Sequence, residues 1–153
     1  MPTVDVNGRP LHYTDTGHGQ AVVLVHGFPL DGRVWGGVAE RLASKCRVIV
    51  PELRGFGRNP PEEGFTMADL AADLAGLMET LGIAPCPVAG LSMGGYVIQT
   101  LAKTYPGIAT RLILVDTKAE GDSPEGKTKR EAMANLALTA KVPPPSRTRC
   151  SRT

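Results

Sequence analysis

No histidine follows position 26. The chain has three, His12, His18 and His26, so an imidazole base can come only from the N-terminal part. Cysteine is equally sparse. Cys46, Cys86 and Cys150 are odd in number and have no metal-ligand spacing, which reads as reduced thiols of a cytoplasmic protein rather than a disulfide framework. No His, Cys, Asp or Glu cluster has metal spacing, so neither a metal nor a cofactor is expected. Neither sign of charge is in large excess: the net charge of +2 gives no reason to expect nucleic acid as a partner. The N-terminus has no basic region followed by an apolar run, so a signal peptide is not expected. No apolar run approaches the length of a membrane span.

What is present is ordinary globular composition, 42% hydrophobic and 21% charged over 153 residues, enough for one domain with one core. Val4 to Val6, Asn7-Gly8 and Arg9 to Thr14 read as a β-hairpin around an Asn-Gly turn. Ala21 to Val25 is a short continuous apolar run, suited to a strand buried on both faces. Val34, Trp35, Val38 and Leu42 then recur at helical spacing. Arg47 to Val50 is the next strand, ended by Pro51. Thr66 is placed to N-cap a helix with Asp69 in its first turn. Its stripe is Met67, Leu70, Leu74, Leu77, Met78 and Leu81, and Gly82 ends it. Pro87 to Ala89 and Arg111 to Val115 are two more strands. Between them a helix stops near Tyr105-Pro106-Gly107. Strands alternating with helices predict an α/β fold with a doubly wound, mostly parallel sheet.

Two motifs carry chemistry. Gly90-Leu91-Ser92-Met93-Gly94 sits between a strand and a helix, with small residues flanking Ser92 on a sharp turn. His26-Gly27-Phe28-Pro29 follows the apolar strand directly. Pro29 has no N–H, so Phe28 is the candidate donor there.

These segments, with Arg47 to Gly57 and Leu112 to Thr117, resemble the α/β-hydrolase fold family. Within it they are most similar to the branch of 3-oxoadipate enol-lactonases, carboxylesterases and cofactor-free haloperoxidases. The resemblance covers about residues 3 to 140. It implies a serine hydrolase of carboxylic esters or lactones with Ser92 as nucleophile, and an oxyanion hole from the Phe28 and Met93 N–H groups. His26, Gly27, Gly90 and Gly94 support the elbow and its loop. The helix starting near Ser123 opens a cap. Two positions depart from the family pattern: Glu52 stands where it usually has Asp, and Asn59 where it usually has Ser. Both read as changes in loop packing.

The family triad runs Ser, Asp, His, and its last two members lie beyond the cap. Asp116, at the end of the last strand, is a candidate acid; a strand-end cap is the competing and favoured reading. His12 and His18 read as surface histidines, and His26 as ordering its loop. Cys86 reads as a buried structural thiol. Residues 1–140 form the expected partial hydrolase domain. Residues 141–153, rich in Pro and Arg, read as a disordered tail, an abrupt loss of pattern expected from a frame change and premature stop. The expectation is a hydrolase by lineage, impaired for want of the triad acid and base. The alternative is a non-catalytic fragment, either a binding module or a non-functional product. The last strand would be an open edge inviting self-association.

Overall fold

The computed structural model describes residues 1–62 and 64–139. They divide into one unit from Met1 to Ala119 and a second from Glu120 onward. The first opens with the expected hairpin. Strands β1 (Thr3–Val6) and β2 (Arg9–Thr16) pair antiparallel. The connecting Asn7 and Gly8 have φ of 55° and 77°, as the two central residues of a tight hairpin turn require. Strand β3 (Ala21–Val25) is the apolar run. Strand β4 (Arg47–Pro51) extends one residue past the expected Val50 to include the proline, which pairs with Tyr13. Strands β5 (Cys86–Leu91) and β6 (Ala109–Val115) complete a sheet in the order β1-β2-β4-β3-β5-β6. Its β4, β3, β5 and β6 pairings are parallel.

Alternation along the central strands explains why the sheet is covered on both faces. Val23, Val25, Ile49 and Val88 join one core cluster, while Leu24, Val48, Val50 and Ala89 join another. The first cluster takes in helices α2 (Met67–Thr80) and α3 (Met93–Thr104); the second takes in α1 (Gly36–Leu42). The α2 stripe is as expected, with Leu70, Leu74, Leu77 and Met78 fully buried. Thr66 and Asp69 form a complete capping box at its start.

The α1 stripe differs from expectation. Gly32–Trp35 forms a 3₁₀ turn before α1, and the change of pitch rotates the faces. Trp35 and Ala39 are buried, while Val34 and Val38 are exposed. A charge also lies on the buried face of α2. Asp73 accepts two hydrogen bonds from Arg54, at 2.8 and 2.7 Å, and this pairing makes its burial tolerable. Glu62 links Arg54 to Arg9, tying the hairpin to the loop after β4.

In the second unit, α4 spans Pro124–Thr139. Ser123 Oγ accepts the Gly126 N–H at 3.2 Å, as expected of an N-cap. The expected apolar face through Met133, Leu136, Ala137 and Ala140 lies outside the described side chains, and the expected tail of 141–153 lies outside the described residues. Among those described, no helix is long and apolar enough to cross a membrane.

Strand β6 has β5 on one side and no paired strand on the other among the described residues. Leu112, Ile113 and Leu114 are exposed in succession, so both faces of the edge are apolar. Such an edge offers free N–H and C=O groups together with apolar area. The expected outcome is self-association of the purified chain by sedimentation velocity, shifted toward monomer by Ile113→Lys. A concentration-independent monomer would contradict it.

Candidate active site

The strand β5 to helix α3 turn is a strained point of the first unit. Ser92 has φ 50° and ψ −112°, a conformation that costs a non-glycine residue about 1–3 kcal/mol. Close backbone approaches hold it there. A Cβ on Gly94 would lie 2.5 Å from the Val25 carbonyl oxygen and 2.7 Å from that of His26. One on Gly90 would strike the Gly94 backbone. The Ser92 N–H donates to the Val115 carbonyl at 2.9 Å, and its carbonyl accepts from the Gly95 N–H and the Thr117 hydroxyl, each at 2.9 Å. The Ser92 hydroxyl does not cap α3. Among the described residues it is left uncommitted at the helix N-terminus, where the dipole favours negative charge.

The loop after β3 meets this turn. A Cβ on Gly27 would lie 3.1 Å from Ser92 Cβ and 2.9 Å from the Leu91 carbonyl oxygen, so only glycine allows the loop so close. The structure therefore brings His26, Gly27, Gly90, Ser92, Met93 and Gly94 together. Phe28 follows Gly27 directly. Its side chain is exposed and meets Phe56 edge-on, with ring centroids 6.1 Å apart. Among the described residues, neither the Phe28 N–H nor the Met93 N–H has a hydrogen-bond acceptor.

His26 is fully buried. Its Nε2 accepts the Leu53 N–H at 3.0 Å, and its Nδ1 lies 3.1 Å from the Gly27 carbonyl oxygen. An Nε2 that accepts must keep its lone pair, so the proton sits on Nδ1 and is donated to Gly27. Burial pushes the pKa of His26 below its ordinary value, against an opposing pull from the Gly27 carbonyl, Asp31 and Glu52. Both nitrogens are engaged, which fits a loop-ordering histidine and leaves no nitrogen for a base.

The other candidates separate. His18 is exposed, as expected. His12 is not the surface histidine the sequence suggests. It is half-buried, and its N–H and Nδ1 both contact Asn59 Oδ1, at 3.1 and 2.9 Å. Asn59, itself buried, donates to the Glu52 and Leu53 carbonyls at 2.5 and 3.1 Å. The buried Glu52 carboxylate accepts the Arg58 N–H at 2.6 Å. The two departures from the family pattern thus meet in one loop, and pairwise side-chain reading from sequence had no signal for His12 joining it. Asp116 follows β6 with φ 45°, its side chain exposed and without a hydrogen-bond partner among the described residues. Its neighbour Thr117 provides the strand-end contact to Ser92. Cys86 is buried and its pKa is pushed up to about 11, so at neutral pH it is a thiol and a poor nucleophile. Cys46 and Cys86 are free; Cys150 lies outside the described residues. No group of metal-ligating side chains occurs among the described residues.

Comparison with known proteins assigns the family. The family model described as alpha/beta hydrolase fold matches residues 20–141. A Mycobacterium tuberculosis protein that carries the name of a non-heme bromoperoxidase is 39% identical over 114 residues, covering 73% of this chain and 44% of that protein. The structure of a thermophilic esterase from Thermogutta terrifontis superposes with a TM-score of 0.85 at 43% identity, covering 91% of this chain and 54% of the other. The enol-lactonase from Burkholderia xenovorans gives 0.77 at 32% identity, covering 90% and 58%. The chain spans about half the length of these relatives.

Two outcomes follow from the packing. Gly94→Ala drives a methyl into two carbonyl oxygens and is expected to cost about 2 kcal/mol or more, read as a lowered urea midpoint. The second concerns pH. His26 titrates below 6.5 in the fold and near about 6.5 when unfolded. Below the unfolded value the unfolded chain binds the proton first, so stability falls with falling pH until the folded pKa is reached. The urea midpoint should drop between about pH 7.5 and pH 5.5. His26→Phe should flatten that slope; an unchanged slope would show that another group sets it.

Proposed function

The chain belongs to the α/β-hydrolase family, and from that membership we propose that it carries the acyl-transfer centre of a serine hydrolase of carboxylic esters or lactones. The observation that carries this reading is the uncommitted Ser92 hydroxyl at positive φ beside two uncommitted N–H groups, those of Phe28 and Met93. Ser92 Oγ attacks the substrate carbonyl as its proton passes to a base. The ester C–O bond then breaks with protonation of the leaving oxygen, and the alcohol departs (or the lactone ring opens) to leave an acyl-enzyme. The oxyanion that develops is held by the Phe28 and Met93 N–H groups, aided by the α3 dipole. Water then releases the acid. His26 and Gly27 hold the loop, and Gly90 and Gly94 hold the elbow. No metal or cofactor enters this scheme. The names of the relatives, an esterase and an enol-lactonase among them, support the substrate class.

Deprotonating Ser92 needs a base. The His26 nitrogens are both engaged, His12 is bonded to Asn59 and His18 lies on an exposed turn. Asp116 is the candidate acid, one residue from the Thr117 contact to Ser92. We therefore propose that this chain, assayed alone, is an impaired member of its lineage, acting on a small ester or lactone in the cytoplasm. The alternative of a non-catalytic binding module rests on the same three engaged or distant histidines.

The test is labelling with a fluorophosphonate alongside p-nitrophenyl acetate turnover. Slow labelling at Ser92, lost in Ser92→Ala, and very weak turnover are expected, since without a free imidazole among His12, His18 and His26 a centre keeps only binding and oxyanion contributions. Brisk turnover that Ser92→Ala abolishes would reveal a base among the three histidines. No labelling at all would favour the binding module.

A further inference from the structure

The Gly27 carbonyl and the Phe28 N–H belong to one peptide unit. That unit is trans, because the cis bonds among the described residues are Phe28-Pro29 and Ala84-Pro85. In a trans peptide the C=O and N–H point to opposite sides of the chain and turn as one rigid plane. Whatever grips the carbonyl therefore aims the N–H.

Two donors grip it. The Leu30 N–H reaches the Gly27 carbonyl at 2.9 Å, within the loop. His26 Nδ1, at 3.1 Å, is the second. The ring is anchored independently: its Nε2 takes the Leu53 N–H from the loop after β4, and its edge contacts Phe56 with centroids 5.4 Å apart. Leu53 is held in turn, its carbonyl accepting from Asn59. The ring thus transmits the position of residues 53–59 to the Gly27-Phe28 plane.

We propose that His26 is a positioning residue that sets the direction of the Phe28 N–H through the Gly27-Phe28 peptide, with the loop after β4 as its anchor. This rests on the proposed serine hydrolase, for which the Phe28 N–H is an oxyanion donor. It gives the buried histidine a role distinct from both base and filler. The groups that face it are the Gly27 carbonyl, the Leu53 N–H, Phe56, and the more distant charges of Asp31 and Glu52.

Three variants of the full chain separate the two bonds. His26→Asn places an amide donor near the Nδ1 position and retains the grip on Gly27. His26→Gln reaches toward the Nε2 position and retains only the Leu53 contact. His26→Phe retains the ring and loses both. Fluorophosphonate labelling of Ser92 should slow about 10- to 100-fold in His26→Phe, the range expected when an oxyanion donor is misdirected. His26→Asn should label faster than His26→Gln, whatever the order of their urea midpoints. Labelling rates that simply follow the midpoints, or a His26→Phe that labels like the parent, would overturn the proposal.

A second readout stands apart from reactivity. The chain has three phenylalanines, Phe28, Phe56 and Phe65, so ¹⁵N-phenylalanine labelling gives three amide signals in the parent, His26→Asn and His26→Gln and four in His26→Phe, with Phe28 assigned by adding Phe28→Leu in each background. The Phe28 signal should move in His26→Phe and His26→Gln and lie nearer its parent position in His26→Asn. If the parent does not label, the serine hydrolase reading fails, and the amide signal alone then decides the positioning role. A Phe28 signal that sits at one place in all four proteins would reject it.

Discussion

A serine can be held at φ 50° only where the backbone around it leaves no alternative. At Ser92 that confinement comes from three directions. Gly94 lies under the Val25 and His26 carbonyls, Gly27 lies against the Ser92 side, and β6 takes the Ser92 N–H. The pairing β4-β3-β5-β6 sets the distances among these pieces. The sheet is thus more than a scaffold beneath the site. The parallel register that brings Val25 beside Gly90 and Leu91 beside Val115 is what stores the strain at Ser92.

The loop after β3 is confined by different means. It has no ladder partners, so side chains replace them. The His26 ring bridges to Leu53, Asn59 satisfies two carbonyls of the same segment, and Asn59 Oδ1 takes the His12 donors from β2. Buried polar groups are costly when unpaired and rigidifying when fully paired. Here the paired set joins the middle of β2 to the segments that follow β3 and β4. Glu52 and Asn59, which look like departures in sequence, act together in the structure: one caps the loop backbone, the other ties it to the hairpin.

Much of this was legible in the chain itself, for physical reasons that differ by element. Ala21 to Val25 has no polar side chain to place on a wet face, so burial on both sides was the only consistent reading. Thr66 and Asp69 carry their capping box in local sequence. The Gly90 to Gly94 turn needed its small residues wherever the rest of the chain went. Other features depend on contacts between distant residues. Val34 and Val38 have helical spacing with Trp35, yet the 3₁₀ turn rotates them outward. Asp73 sits in an apolar stripe because Arg54 arrives from another loop. His12 alternates with buried Leu11 and Tyr13 and reads as outward-facing, until Asn59 covers it.

Strand β6 joins the two parts of the molecule's chemistry. Its exposed residues Leu112 to Leu114 run straight into Val115, whose carbonyl holds the Ser92 N–H, and then to Thr117, whose hydroxyl holds the Ser92 carbonyl. The elbow's peptide groups are thus fastened on the β6 side by one backbone bond and one side-chain bond. Between them stands Asp116 at positive φ, a second non-glycine residue held in a disfavoured conformation close to the first. Any element that pairs with the free side of β6 stiffens both fastenings, because a strand with two neighbours frays less than one with a single neighbour. The backbone geometry of Ser92 is therefore tied to the order of that edge, through the Val115 carbonyl and the Thr117 hydroxyl.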